Sequence, residues 1–196
     1  MIGIINYGAG NIFSLTAALE RLGISFGMIS REEDFGQYNR YIIPGVGHAG
    51  AAMNKLELTG LVPAIKALTK PVLGICVGMQ LLTSYSEEGD STLLNLFPIK
   101  TLKFANNTDY KVPHTGWNRV FPERENPLFE NIPNGSHFYF VHSYFIEYNI
   151  EYTLSSTTYS NKFSAAIMRD NFYGVQFHPE TSGAYGETLL KNFSKI

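Results

Sequence analysis

The stretch Pro71-Val72-Leu73-Gly74-Ile75-Cys76-Val77-Gly78-Met79-Gln80-Leu81-Leu82 constrains the chain most. A short apolar run, Val72 to Ile75, follows a proline that can open a strand. Met79, Leu82 and Tyr85 then recur at helical spacing, which predicts a helix from Gly78 to Tyr85. Gly74 and Gly78 stand two residues to either side of Cys76, the G-x-nucleophile-x-G pattern with cysteine in place of serine. A strand that turns sharply into a helix needs residues without a Cβ on both sides, so that strand, turn and helix pack closely. The middle residue is then strained, with its side chain exposed at the strand's carboxyl end. It also sits at a helix N-terminus, where unpaired N–H groups and the helix dipole favour a thiolate. A lone cysteine can equally be an inert apolar core residue. The flanking glycines and the strand-to-helix change argue for a nucleophile.

The rest of the composition narrows the class. A chain of 196 residues suits one domain with a real core, here residues 1–196. A formal net charge of -2 implies no large basic surface for nucleic acid. With a single cysteine there is no internal disulfide and no cysteine-based metal cluster, which fits a reducing cytoplasm. Met1-Ile2-Gly3-Ile4-Ile5-Asn6 lacks the basic start and long apolar run of a signal peptide, and no apolar run approaches the roughly 18 residues of a membrane span. No metal or cofactor is expected.

In the first half, strands are predicted at Ile2–Asn6, Ile24–Ser30, Tyr41–Ile43 and Val72–Ile75. Helices are predicted from Ile12 to Leu22, Ala49 to Leu58 and Leu61 to Leu68. This alternation predicts an α/β fold, a flavodoxin-like, mostly parallel sheet with helices on both faces. Ligands in such sheets bind at the carboxyl ends of the strands. Cys76 lies at one such end and Gly45-Val46-Gly47 at another. In the second half, short strand candidates at 101–104, 118–121, 137–141, 152–155, 165–169 and 172–177 read as added antiparallel hairpins, before a closing helix at Glu187–Phe193.

Gly45-Val46-Gly47-His48-Ala49-Gly50 matches a dinucleotide-binding glycine pattern. It follows the third strand rather than the first, Pro44 breaks the turn, and no acidic residue closes the following strand. The better-placed glycines at Gly8 and Gly10 meet Phe13 where a small residue is needed. A glycine loop beside a cysteine nucleophile has another use, because its N–H groups can form an oxyanion hole. Val46 or Gly47, with the N–H of Val77, would supply the two donors.

A thiol nucleophile needs a base and a group to orient it. Of five histidines, His178 is the best placed, at the end of the strand pattern Phe172–Phe177 and before Pro179. If the extended backbone continues through Pro179, Glu180 points to the same side and can fix the imidazole tautomer. A surface His-Pro-Glu turn would leave the same three residues.

Gly74-Ile75-Cys76-Val77-Gly78-Met79-Gln80 and Phe177-His178-Pro179-Glu180 together resemble the signature of class I glutamine amidotransferases. Within that class, Tyr7-Gly8-Ala9-Gly10-Asn11, Pro44-Gly45-Val46-Gly47, Lys111-Val112-Pro113-His114-Thr115-Gly116-Trp117-Asn118 and Tyr139-Phe140-Val141-His142-Ser143-Tyr144 resemble the glutaminase subunits of imidazole glycerol phosphate synthase. These stretches span the chain and leave no room for a fused synthase domain.

The resemblance implies a catalytic triad of Cys76, His178 and Glu180. It implies that Gly45, Gly47, Gln80, Ser143 and Tyr144 bind glutamine. It further implies a heterodimer with a (β/α)8 barrel cyclase that takes the ammonia to make imidazole glycerol phosphate and AICAR in histidine biosynthesis. Asn11, Trp117, Asn118, Tyr139 and Thr181 would then lie toward that partner. Thr181 departs from the basic residue that family members often carry there. A paralogous subunit feeding an amidotransferase of surface-sugar biosynthesis would show the same triad. An elbow-cysteine stress protein would show the turn, but usually without Phe-His-Pro-Glu.

Overall fold

In the computed structural model, which describes residues 1–105 and 110–196, Ile4, Ile5, Ile42, Ile43, Leu73 and Val175 are wholly buried. They fill four short strands, β1 (Ile2–Ile5), β3 (Arg40–Ile43), β4 (Val72–Ile75) and β13 (Phe172–Val175). With β2 (Phe26–Ile29) these form a parallel block in the order β2-β1-β3-β4-β13. Runs that are apolar at nearly every position, with Arg40 at the start of β3 the exception, are what a parallel sheet covered on both faces requires. Each large side chain so buried contributes on the order of 1.5–3 kcal/mol.

Strand order fixes the layers. The chain moves one way from β1 to β2 through α1 (Ile12–Arg21), and the opposite way from β3 to β4 through α2 (Ala49–Leu58) and α3 (Val62–Lys66). Right-handed crossovers in opposite directions place their helices on opposite faces. Arg21 ties α1 to the closing helix α5 (Gly183–Phe193) through Glu187 at 2.9 Å, while α2 packs against α4 (Val77–Leu81).

Beyond β13 the sheet turns antiparallel at β12 (Lys162–Arg169) and branches. One arm runs through β10 (Tyr144–Glu147), β7 (Phe97–Lys103), β5 (Thr83–Ser86) and β6 (Ser91–Thr92). The other runs through β11 (Thr153–Thr158) to the hairpin of β8 (His114–Pro122) and β9 (Ser136–His142). The α/β architecture with added antiparallel strands is the one expected. Among the described residues no helix is long and apolar enough to cross a membrane, and no group of three histidine, cysteine, aspartate or glutamate side chains could hold a metal ion.

Two local expectations need correction. The helix predicted from Gly78 to Tyr85 is only α4, a little over one turn, and Thr83–Ser86 is a strand. Thr83 Oγ1 donates to the Gln80 carbonyl at 2.8 Å and ends the helix, and Tyr85 and Ser86 pair with Lys100 and Thr101. Three apolar residues at helical spacing over so short a window did not outweigh that pairing. The closing helix starts at Gly183, four residues earlier than Glu187.

The glycines around Cys76 have a steric reason. A Cβ on Gly78 would collide with the Ile43 carbonyl oxygen, and one on Gly74 would come within 2.5 Å of the Gly78 oxygen. Backbone therefore lies on backbone where α4 crosses β3 and β4. We predict that Gly78→Ala destabilises the fold by about 1–3 kcal/mol, the usual cost of overpacking. Gly36→Ala, with open space at its Cβ, should change stability by less than about 0.5 kcal/mol. Urea unfolding of both variants is the check, and equal effects would contradict the close-contact account.

Candidate active site

Cys76 links β4 to α4 with φ 53 and ψ -111, a conformation that L-residues rarely adopt. The strain holds because the glycine contacts on either side fix the path of the chain. The turn stands between the carboxyl ends of β3 and β13, which are hydrogen-bonded neighbours of β4. β3 delivers Pro44 to Gly47, and β13 delivers Gln176, His178 and Glu180. A cavity of about 290 Å³ opens there, lined by Val46, Gly47, Cys76, Gln80, Tyr144 and His178 among others.

His178 and Glu180 meet, by a different route from the one expected. The extended backbone stops at His178, and Pro179–Thr181 form a single 3-10 turn. That turn brings Glu180 Oε1 to 2.8 Å from His178 Nδ1, with both side chains buried. A carboxylate only accepts, so Nδ1 carries the proton in this contact and Nε2 is left to act toward Cys76. Burial pushes the imidazole pKa down, but the interactions with Cys76 and then with Glu180 outweigh it and leave the pKa raised. The ring is therefore biased to take a proton and hold it.

The sulfur has further neighbours. Gln176, fully buried, donates its Nε2–H toward Cys76 Sγ at 3.7 Å, and the Val141 carbonyl lies 4.0 Å from Sγ. Tyr7, whose pKa is raised by burial and then by Cys76, donates to the Pro44 carbonyl at 2.6 Å and pins the start of the Gly45–Gly47 loop. The Val77 N–H, expected to face an oxyanion, is taken instead by the Gly45 carbonyl at 3.2 Å. Gly47, at φ 87, is where the loop can turn without steric cost.

The remaining expected residues divide. Gly47, Gln80, Ser143 and Tyr144 line the cavity, whereas Gly45 lies behind it against Val77 and Tyr7. Trp117 and Tyr139 pair across β8 and β9 with rings 6.0 Å apart, and Trp117 is 57% exposed. Asn118 turns to the opposite face of that hairpin, where it bonds His114 and the Thr158 carbonyl. Asn11 caps α1 through the Ser14 N–H, and Thr181 is exposed at the turn after His178. Glu88 was not anticipated. It lines the cavity and accepts from the Ala49 N–H at 2.6 Å. Its position after a strand hidden in a helix-like pattern left no signal.

A family model for glutamine amidotransferase class-I matches residues 4–196. The chain is 45% identical over 199 residues to imidazole glycerol phosphate synthase subunit HisH of Photorhabdus laumondii, covering 98% of each chain. It is 47% identical to the subunit of the same name from Haemophilus influenzae, over 98% of this chain and 96% of that one. Among solved structures, a glutamine amidotransferase superposes with TM-score 0.74 at 15% identity, covering 100% of this chain and 99% of that one. PurLQS from Thermotoga maritima superposes with TM-score 0.72 at 17% identity, covering 98% and 96%. At those identities the superpositions speak for the fold.

His142, in the cavity wall, and His114, bonded to it, are buried with no charge partner among the described residues. Burial pushes His114 down to about 4, and burial followed by the neighbouring His114 pushes His142 down to about 3. Both folded-state values lie below the unfolded value of 6.5. Between them the unfolded chain binds protons that the folded chain does not, so stability must rise with pH. We predict a loss of stability as pH falls from about 6.5 toward 5, with a limiting slope of about 1.4 kcal/mol per pH unit for each histidine. Urea unfolding at pH 7, 6 and 5 measures it, and a flat profile would contradict burial in the neutral form.

Proposed function

Because the chain belongs to the class I glutamine amidotransferase family, we propose that it is the glutaminase subunit of an imidazole glycerol phosphate synthase, hydrolysing glutamine to glutamate and ammonia for histidine biosynthesis. Residues 1–196 act as one glutaminase domain. The observation that carries the reading is the strained Cys76 at the meeting of three strand ends, opposite a buried His178–Glu180 pair. Relatives that share 45–47% identity along nearly the whole chain and carry that synthase name support the histidine pathway.

The chemistry follows from the geometry. Cys76 Sγ attacks the carboxamide carbon of glutamine as its proton passes to His178 Nε2. Collapse of the tetrahedral intermediate breaks the C–N bond, and His178 returns the proton to the leaving ammonia. Water, deprotonated by the same ring, then attacks the glutamyl thioester and releases glutamate. Glu180 holds the ring by Nδ1 and stabilises its charged form. Gly47, Gln80, Ser143 and Tyr144 hold the substrate, with Gly45 supporting the loop. The carboxylate of Glu88 suits the substrate's ammonium group.

Ammonia released in solution is wasted, so the subunit works with a cyclase partner, a (β/α)8 barrel that receives it. The exposed Trp117 and the half-buried Tyr139 offer an aromatic docking face directly behind the base, since the His178 N–H bonds the Tyr139 carbonyl at 2.9 Å. Asn11 and Thr181 lie at the same carboxyl end of the sheet. In the present conformation the bond from Val77 N–H to Gly45 O leaves the oxyanion hole short of a donor. Docking switches the enzyme on by favouring the turned loop through its differential affinity for the two states.

One missing oxyanion donor costs about 10²- to 10³-fold in rate. We therefore predict slow glutamine turnover by the chain alone, and a rise of that order when the cyclase and its ligand are added. Cys76→Ser should abolish glutamine-dependent synthesis but spare synthesis from free ammonia, which bypasses the thioester. Steady-state assays of the chain, the complex and the liganded complex decide this. Fast turnover by the isolated chain, unchanged by either addition, would overturn the switching account.

A further inference from the structure

Five polar groups join Asn118 to the Cys76 sulfur in one unbroken chain. Asn118 Nδ2 lies 3.3 Å from His114 Nε2, and His114 Nδ1 lies 2.9 Å from His142 Nε2. His142 Nδ1 lies 2.7 Å from the Tyr144 carbonyl oxygen. Gln80 Nε2 donates to that same oxygen and to Gln176 Oε1, at 3.1 Å each. Gln176 Nε2 donates toward Cys76 Sγ at 3.7 Å. His114, His142, Gln80 and Gln176 are all buried.

The direction of every link is fixed by one oxygen that can only accept. Tyr144 O obliges His142 Nδ1 to carry the hydrogen. A neutral His142 then has a lone pair at Nε2, which accepts from His114 Nδ1–H. His114 in turn accepts at Nε2 from the Asn118 amide. On the other side, Gln80 spends both its N–H groups on Tyr144 O and Gln176 Oε1. Gln176 can then present only its N–H to the sulfur. Flipped, that amide would set N–H against N–H at Gln80 and an oxygen lone pair against a sulfur that must become negative.

We propose that the His114–His142 pair is a positioning device for the nucleophile: its Nδ1–H holds the Tyr144 carbonyl oxygen in place, and that oxygen sets the amide polarity of Gln80 and Gln176, so that a donor faces Cys76 Sγ. The link to glutamine hydrolysis rests on the function proposed above, whereas the positioning of the sulfur does not. Burial makes the device effective, because hydrogen bonds in a low-dielectric interior polarise one another and a mispaired group there is costly. His178 and Tyr7 are the titratable groups that also act on the sulfur, and both are left in place by the test.

Two pairs of variants distinguish direction from mere packing. In His142→Asn the amide N–H can replace Nδ1–H on Tyr144 O, whereas His142→Gln reproduces the Nε2 side and abandons Tyr144. Asn118→Ala deletes a donor, but Asn118→Asp demands a hydrogen from His114 Nε2. That reverses the chain and sets a His142 lone pair against Tyr144 O. Cys76 is the only cysteine, so iodoacetamide labelling followed by mass spectrometry reads the sulfur alone, with no glutamine present. We expect His142→Gln to label about three- to tenfold more slowly than His142→Asn, and Asn118→Asp to label more slowly than Asn118→Ala by a similar factor. The same ordering should appear in kcat/KM for glutamine.

Equal labelling rates within each pair of folded variants would overturn the proposal. Asn118 is only half-buried, so its pair decides the matter if a His142 variant fails to fold. If the ordering holds in labelling while the wild-type complex hydrolyses no glutamine, the positioning stands and the substrate reading falls.

Discussion

Main chain lies directly on main chain where α4 crosses β3 and β4. No side chain separates Gly78 from the Ile43 carbonyl, or Gly74 from the Gly78 carbonyl. That contact leaves Cys76 no relaxed path from strand to helix, and the residue takes a positive φ. The cost, on the order of 1–3 kcal/mol, is met by the buried sheet beneath. In return the thiol projects from the sheet's carboxyl edge. The neighbouring strands β3 and β13 end there too, so a glycine loop and a histidine arrive on either side of one sulfur. The site is a consequence of strand order.

Polar groups then refine what packing has placed. His178 is held by Glu180 on one ring nitrogen, which commits the other to the sulfur. Gln80 and Gln176 interlock amide to amide, so that each can face only one way. The loop at Gly45–Gly47 is packed tightly at Gly45 and open at Gly47. Tyr7 anchors its start, but Gly47 can turn at little steric cost, and the Gly45 carbonyl now occupies the Val77 donor. If the loop has a second setting, a rigid thiol beside it is the physical form a switch needs, because a partner has only to prefer one setting.

Much of this was legible in the sequence because steric demands leave few alternatives. Gly74 and Gly78 around Cys76 announced a close crossing, and the alternation of strand patterns at Ile2–Asn6, Tyr41–Ile43 and Val72–Ile75 with helical stretches announced a parallel sheet covered on both faces. Where the sequence misled, a local pattern had two solutions. Met79, Leu82 and Tyr85 fit a helix, but only pairing with β7 shows that Thr83–Ser86 is a strand. His178 and Glu180 would share a side in extended backbone, yet a 3-10 turn joins them. Asn118 was expected toward a partner together with Trp117, although alternation along β8 sends it to the opposite face, against His114. Gln176 sat unnoticed in a strand pattern, because an amide's partner depends on which strand lies beside it, and one sequence does not print that.

In the function we propose, Cys76 is a nucleophile shaped for the carboxamide of glutamine. An alkylating glutamine analogue tests it most directly, since it must bind as glutamine binds and react where glutamine reacts. We expect one adduct per chain, on the peptide carrying Cys76, formed faster with the cyclase present and suppressed by excess glutamine. Labelling that glutamine does not protect, or an adduct elsewhere with Cys76 left unmodified, would contradict it.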